Sequence, residues 1–304
     1  MIDSTDIAVI IVSGIIGAFI VLLTTYFASK YGSISGIITT IPTNTLVSLL
    51  GIAINDNNYD ELQKNIYTSL ILSYCAFLYL IIFWIYIPSR IENYNYPIIK
   101  TCILGILFYC LISVISYKFF IQNIEELLSN KDFLILAILS VFKYYYFTSI
   151  HKFLYKFKDE NIVNNSISKQ ELISRFIVSF VFISGIIFIG KINEIAGVIM
   201  SCFPLLSLIN SIVLWRQTNN SILISQLNSN ILIGGTTIYM YVLSFGFFLG
   251  ILNIYINVIV SLGLSLVIYN YPIYITLKKI NKINSSNENN ENNENNLELT
   301  ITEV

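Results

Sequence analysis

The sequence predicts an all-α fold: a polytopic transmembrane helix bundle of about nine spans, arranged as an inverted 4+1+4 repeat. Composition predicts the membrane class, because 55% of the 304 residues are hydrophobic and 12% are charged, against about 25% charged in soluble domains. The mean hydropathy of +0.72 agrees. A net charge of −1 excludes the basic surface of a nucleic-acid-binding protein. A match between two distant stretches, given below, predicts the repeat.

Nine apolar runs approach the roughly 20 residues that a helix needs to cross a bilayer. They are residues 7–27, 34–54, 66–87, 101–120, 133–150, 172–190, 195–215, 231–252 and 254–275. The last two are separated only around Asn253, so we expect a tight turn there. After them, residues 278–304 form an Asn/Glu-rich tract with too little apolar content for a core, and we expect this tail to be disordered.

The basic residues predict the orientation of the bundle. With odd-numbered spans starting outside, four of the 17 Lys and Arg residues fall in outer loops, twelve in inner segments and one, Lys143, in span five. Basic residues concentrate in the cytosolic loops of membrane proteins. We therefore expect an outer or lumenal N-terminus and a cytosolic C-terminus. The four outer residues are Lys64, Lys118, Lys131 and Lys191.

Two stretches of the chain match at a constant spacing and predict a duplication. The matched residues are Phe27, Lys30, Gly36 and Thr40 in the first, and Phe188, Lys191, Gly197 and Ser201 in the second. Pro42 and Pro204 follow, aligned after one inserted residue. The units would be residues 1–132 and 172–277, with residues 133–171 as a linker span and basic cytosolic loop. Because five crossings precede the second unit, it would lie upside down, as in many secondary transporters.

The first unit also resembles a known family. The stretch Ser33-Ile-Ser-Gly36-Ile-Ile-Thr-Thr-Ile-Pro42-Thr43 is similar to the signature that opens the second helix of small four-helix bacterial inner-membrane proteins of the GlpM type. The resemblance covers roughly residues 10–120, and residues 172–275 more faintly. In the second copy Leu205 replaces the residue after proline, and no acidic cluster follows span seven. The resemblance implies a four-helix fold unit rather than an activity.

Pro42 and Pro204 are the main candidates for a functional site. A proline inside a helix frees the carbonyl four residues earlier, here that of Ile38 or Met200, and in hydrocarbon such a group needs another partner. Polar residues cluster around both prolines, namely Thr39, Thr40, Thr43, Asn44 and Thr45 around the first and Ser201, Ser207, Asn210 and Ser211 around the second. One interpretation is two discontinuous helices around a midplane substrate site. The other is two proline kinks whose hydroxyls bond back to their own helices.

Lys143 is the one charged residue that we place well inside a predicted span, which makes it a candidate for anion binding or gating. It lies near the inner boundary, however, where a lysine side chain reaches the headgroups. Residues 144–146, all Tyr, are typical of an interfacial belt. Four glycines are interpreted as helix-packing positions, namely Gly36, Gly197, Gly246 and Gly250.

The remaining observations limit the functional class. No Asp or Glu lies inside a predicted span, so the carboxylate relay of ion-coupled carriers is missing. His151 is the one histidine, no cysteine pair has metal-ligand spacing, and no membrane-embedded base accompanies a Ser or Cys, so we predict no enzyme, metal or cofactor. The hypothesis is an uncoupled permease for a small neutral or weakly anionic solute. The alternatives are a non-transporting structural or assembly protein and a lipid-translocating protein.

Overall fold

The computed structural model describes residues 4–30, 43–54, 58–86, 97–125, 127–154, 169–218 and 220–271, together with residue 275. All regular elements in these ranges are helices. They are α1 (Ser4–Lys30), α2 (Thr43–Ala53), α3 (Tyr59–Ile71), α4 (Tyr74–Tyr79) with a π-helical segment (Leu80–Tyr86), α5 (Pro97–Ser116) with a π-helical segment (Tyr117–Ile121), α6 (Gln122–Glu125), α7 (Asn130–Leu154), α8 (Lys169–Ile192), α9 (Glu194–Ser201), α10 (Leu205–Thr218), α11 (Ser221–Phe248) and α12 (Ile254–Ser265) with a π-helical segment (Leu266–Asn270). The Asn/Glu-rich tail lies outside the described residues.

Five helices in the described part of the chain are long and apolar enough to cross a membrane. They are Ser4–Leu23, Tyr59–Ile85, Lys100–Phe119, Leu172–Ile192 and Ser221–Phe248. The all-helical fold that the sequence predicted is therefore confirmed in the described part of the chain, and the five apolar helices are compatible with a membrane protein. The number of nine spans stays a prediction, because α2 and the helices of span seven are shorter than a full crossing.

Two long helices begin before the apolar runs that predicted them. The segment 59–86, formed by α3, α4 and the π-helical segment, is capped by Asn58, whose side chain accepts a hydrogen bond from the Glu61 N–H. Asn220 caps α11 by accepting from the N–H groups of Ile222 and Leu223. Such caps satisfy the unpaired N–H groups of a first turn. Because polar residues follow each start closely, in the first turns of α3 and in residues 225–230 of α11, a hydropathy window places both starts too late.

Helices of the two predicted units pack on one another: α1 on α8, α2 on α9, and the segment 59–86 on α11. In the first pair, Lys191 Nζ lies 3.5 Å from Asp6 Oδ1, whereas Ser184 Oγ donates to the Ile10 oxygen at 3.4 Å. Residue numbers therefore rise along α1 as they fall along α8. The two helices run in opposite directions.

The third pair makes hydrogen bonds near both of its ends. Gln63 Nε2 donates to the Gly246 oxygen at 2.7 Å, and Ser225 Oγ donates to the Ile85 oxygen at 3.0 Å. The contact between the segment 59–86 and α11 thus runs along nearly the whole length of both helices.

The predicted linker helix, α7, packs across this third pair and contacts both α3 and α11. Tyr144 is buried; its hydroxyl donates to the Leu232 oxygen at 2.8 Å, and its ring centroid lies 4.3 Å from that of Tyr239. The expectation that Tyr144 belongs to an interfacial belt is therefore wrong, although Tyr145 and Tyr146 are exposed. Tyr144 anchors the linker in the bundle.

A cap also fixes the start of α7. Asp132 Oδ2 accepts hydrogen bonds from the Ser129 hydroxyl at 2.7 Å and from the Ser129 N–H at 2.9 Å. These bonds to the charged form lower the pKa of the Asp132 carboxyl from its ordinary value. These bonds define the start of the linker helix α7.

The turn between α11 and α12 is tight, as predicted, and covers residues 249–253. Gly250 has a φ of 79°, which a residue with a Cβ adopts only at a cost, and Asn253 Oδ1 accepts from the Tyr255 N–H at 3.1 Å. Gly250 lies beyond the end of α11. The helix-packing role expected for it is therefore wrong, and glycine is favoured there by the turn.

Candidate functional site at the helix interruption

Predicted span seven is covered by two helices rather than one. The first, α9, ends at Ser201, and α10 begins at Leu205, directly after Pro204. In the same way, α2 begins at Thr43, directly after Pro42. A proline lacks an N–H and disfavours helical geometry in the residue before it, so a helix start after each proline is the physical expectation. The predicted residues that lie outside the described ranges are Gly36, Thr39, Thr40 and Pro42, and of Thr43 and Asn44 the structure describes the backbone.

The main-chain oxygens at the end of α9 have partners. The Met200 oxygen accepts from the Phe203 N–H at 3.0 Å, which supplies the other partner that a carbonyl freed by proline needs. The chain turns after Ser201 and brings a later N–H within reach. The Ser201 oxygen accepts from Thr45 Oγ1 at 2.9 Å, and the Ile199 oxygen accepts from the Tyr109 hydroxyl at 2.9 Å. Both hydroxyl partners come from the first predicted unit.

Aromatic rings surround the interruption. The ring of Phe203 is buried and has its centroid 5.0 Å from that of Tyr109 and 5.1 Å from that of Tyr79. On the other side, the centroid of Phe182 lies 5.4 Å away. Aromatic packing of this kind adds to the burial of apolar surface. The interruption is thus packed in the described conformation.

Both helices that follow the prolines carry buried polar side chains three and six positions after the proline. They are Thr45 and Ser48 in α2, and Ser207 and Asn210 in α10. Ser48 Oγ and Asn210 Nδ2 have no hydrogen-bond partner. A buried polar atom without a partner is costly, which makes these positions candidates for contact with a ligand.

Asn228 connects α10 to α11 and escaped the sequence analysis. Its Oδ1 accepts from Ser207 Oγ, and its Nδ2 donates to Ser211 Oγ at 2.7 Å and to the Ile224 oxygen at 2.9 Å. Asn228 lies before the apolar run 231–252, so hydropathy assigned it to a loop. Asn228 lies four positions after Ile224, one helical turn, but this spacing alone does not indicate that the asparagine is buried.

The structure separates the two charged residues that lie deepest in the predicted spans. Lys143 is exposed on α7 and takes no part in the interruption. Arg175, which we counted among the inner basic residues, lies within α8 and is 5% exposed. Four positions after it comes Ser179, which is buried on the same helical face. This four-residue spacing was the signal that could have identified Arg175.

Lys191, at the end of α8 in the second predicted unit, has its partners in the first predicted unit. Its Nζ donates to the Ile54 oxygen at 2.7 Å and to the Ile52 oxygen at 3.3 Å, besides the contact with Asp6. A cation near the last carbonyls of a helix stabilises that helix end. Lys191 therefore joins the start of α1, the end of α2 and the end of α8.

Two of the glycines predicted to pack helices lie at close approaches. A Cβ on Gly197 would lie 2.3 Å from the Cα of Gly190, and one on Gly246 would lie 2.8 Å from Cγ2 of Ile66. The first contact joins backbone to backbone between α8 and α9. Small residues permit such approaches in membrane bundles.

No family model, curated protein or solved structure matches the chain. Among the residues that the structure describes, no three His, Cys, Asp or Glu side chains are grouped so as to hold a metal ion. The described fold is all-helical, and its five long apolar helices are compatible with a membrane protein.

Proposed function

We propose that this protein is an uncoupled permease, which moves a small neutral or weakly anionic solute between α2 and the α9–α10 interruption. The observation that carries the proposal is the bond from Thr45 Oγ1 to the Ser201 oxygen. It joins a helix that starts after one proline to a helix that ends before the other. Discontinuous helices at the interface of two halves form the substrate sites of many inverted-repeat transporters.

The proposal includes an inverted repeat, which two hydrogen bonds support. Gln63 donates to the Gly246 oxygen, and Ser225 donates to the Ile85 oxygen. Ser225 lies 162 positions after Gln63, and Gly246 lies 161 positions after Ile85. The donor of each bond therefore corresponds to the donor of the other, and each acceptor to the other acceptor. This is the relationship expected of two halves related by a two-fold axis in the membrane plane.

Two aromatic pairs support the same relationship. The rings of Tyr79 and Phe83 stack with centroids 6.0 Å apart and planes at 27°. Those of Tyr241 and Phe245 stack at 5.9 Å and 27°, and each residue lies 162 positions after its counterpart. The first residues of these two helical segments, Tyr59 of the segment 59–86 and Ser221 of α11, also lie 162 positions apart. We interpret the GlpM-type resemblance accordingly, as one four-helix unit present twice.

Solute passage would require the interruption to open. In the described conformation, hydroxyls of Thr45 and Tyr109 satisfy carbonyls of α9; a solute with hydrogen-bonding groups would replace them when the halves move apart. The carboxylates of the described candidate spans, Asp6, Asp60 and Glu61, lie in the first turns of their helices, so the proposed passage uses no carboxylate deep in the membrane to couple a proton or sodium ion. The proposed orientation keeps the N-terminus outside and the C-terminus in the cytosol, as the basic residues predict.

Flux assays in liposomes test this proposal. The purified protein is reconstituted, and entry of a panel of small neutral and anionic solutes is measured for wild type, Thr45→Val, Pro204→Ala and the control Gly263→Ala. A Cβ on Gly263 meets no atom within 4 Å, so this control should transport like wild type. Flux that both site variants alter supports the permease; absent flux, or flux indifferent to both, contradicts it.

A structural or assembly role is the second candidate, and the close packing of Phe203 against Tyr79, Tyr109 and Phe182 favours it. Close aromatic packing at the interruption could stabilise the contact between the two halves of the protein, just as it could close a solute path. Under this alternative all four proteins fail to transport any solute, and the two site variants, Thr45→Val and Pro204→Ala, lower the stability of the protein. Including a labelled phospholipid in the panel identifies a lipid-translocating activity.

A further inference from the structure

Arg175 is a cation buried inside a membrane helix. It lies in the candidate span Leu172–Ile192, and its side chain is 5% exposed. An ionisable residue at such a position is costly unless it serves a partner or a ligand. Arg175 already interacts within the protein, but a guanidinium has five N–H donors, so it can hold a second group as well.

Ser179 supplies an independent indication of a ligand. It lies one turn after Arg175, on the same face of α8. Its side chain is fully buried, at 0% exposed, and its hydroxyl has no hydrogen-bond partner. A guanidinium and a free hydroxyl one turn apart offer several donors to one acceptor-rich group.

The same face of α8 leads to the interruption. Phe182 lies three positions after Ser179, and its ring packs against Phe203, between α9 and α10. Residues three and four apart are neighbours on a helix. Arg175, Ser179 and Phe182 therefore form a row from the side on which α8 begins to the proposed solute site.

We propose that Arg175 and Ser179 form an anion-binding site for a carboxylate or phosphate group on this side of the interruption. Arginine is suited to this task, because its planar fork donates two parallel hydrogen bonds to either group. The inference deepens the proposed function, on which its role in transport rests, by naming a weakly anionic solute. The anion is either a free solute or a lipid headgroup, which share this chemistry.

Binding of inorganic phosphate to the full-length protein in phosphatidylcholine nanodiscs tests the site. Calorimetric titration compares wild type with Arg175→Gln, Arg175→Lys, Ser179→Ala and the matched control Arg216→Gln, which removes an exposed arginine charge in the last turn of α10. We expect Arg216→Gln to bind like wild type and Arg175→Gln to bind at least about tenfold more weakly. Ser179→Ala should lose about threefold, with Arg175→Lys between, because an ammonium keeps the charge without the fork.

A parallel series identifies the source of the anion. Melting temperatures are measured in nanodiscs with and without phosphatidylglycerol. A stabilisation by phosphatidylglycerol that Arg175→Gln loses, without phosphate binding, assigns the site to a lipid headgroup. Binding of neither anion, or equal losses in Arg175→Gln and Arg216→Gln, overturns the proposal. If Arg175→Gln does not fold, Arg175→Lys and Ser179→Ala decide in its place, and unchanged binding by both overturns the site.

The outcome is distinguishable from that of the permease proposal, because no flux is measured here. Arg175-dependent binding in a protein without flux would contradict the permease and leave the site. Flux of neutral solutes by a protein that binds neither anion would contradict the site and leave the permease.

Discussion

Thr45 Oγ1 lies 2.9 Å from the main-chain oxygen of Ser201, to which it donates a hydrogen bond across 156 positions of sequence. Both residues are buried. This contact joins the helix that begins after Pro42 to the helix that ends before Pro204. This contact and other contacts between helices of the bundle can be tested by substitution.

Replacing Thr45 by Val should lower the free energy of unfolding by about 1 kcal/mol, because the Ser201 oxygen loses its donor in a buried site. Thr45→Ser keeps the hydroxyl and should lose less. Denaturation of the two purified variants in detergent measures the difference. Unchanged stability of Thr45→Val, together with a loss in Thr45→Ser, would mean that packing of the methyl group, rather than the hydrogen bond, matters at this position.

Replacing Lys191 by Met should destabilise the protein by about 1–3 kcal/mol, because two carbonyls at the end of α2 lose a charged donor. Asp6→Asn should cost less than about 1 kcal/mol, because the ion pair spans 3.5 Å and the aspartate is partly exposed. Lys131→Met, at an exposed position, serves as the control. An Asp6→Asn loss as large as that of Lys191→Met would contradict the carbonyl-capping role.

Gly197→Ala should destabilise the protein by more than about 2 kcal/mol, since the new Cβ meets backbone atoms of Gly190 that have no rotamer to change. Gly263→Ala adds the same atom to open space on α12 and should stabilise by about 0.5–1 kcal/mol. Thermal unfolding in one detergent compares the two. If Gly197→Ala is tolerated like Gly263→Ala, α8 and α9 are not in this close contact.

The anchor of the linker helix is testable by a double-mutant cycle. A Cβ on Gly235 would lie 2.5 Å from the Tyr144 hydroxyl oxygen, so Gly235→Ala should be costly alone and cheaper in a Tyr144→Phe background, with a coupling of about 1 kcal/mol. Tyr146→Phe, at an exposed position, should leave the cost unchanged. Simple additivity of Gly235→Ala and Tyr144→Phe would place the linker elsewhere.

The sequence predicted the features that depend on composition and on proline. Apolar content identified the long helices, and Pro204 predicted either a broken helix or a kink, because the chemistry of proline acts locally. The structure shows the break, between α9 and α10. The tight turn before α12 followed from the single polar residue Asn253 between two apolar runs. These predictions needed no knowledge of which helices are neighbours.

Features that depend on neighbouring helices escaped prediction. The Met200 carbonyl finds the Phe203 N–H through the shape of the turn. Arg175 and Asn228 are polar residues whose burial follows from the packing of helices distant in sequence. Hydropathy ranks residues one by one, so the sequence analysis chose Lys143 as the charged candidate. In the structure Lys143 is exposed, whereas Arg175 is buried.

Membrane-impermeant maleimide labelling of two single substitutions, Tyr59→Cys and Ile222→Cys, tests the central claim most directly. Both residues are exposed near the starts of the third helices of the two proposed units, and the native protein, whose cysteines are buried or partly buried, is the background control. In intact cells an inverted repeat places these positions on opposite sides of the membrane, with Tyr59→Cys labelled from outside and Ile222→Cys labelled only after permeabilisation. Labelling of both positions from the same side would contradict the inverted arrangement.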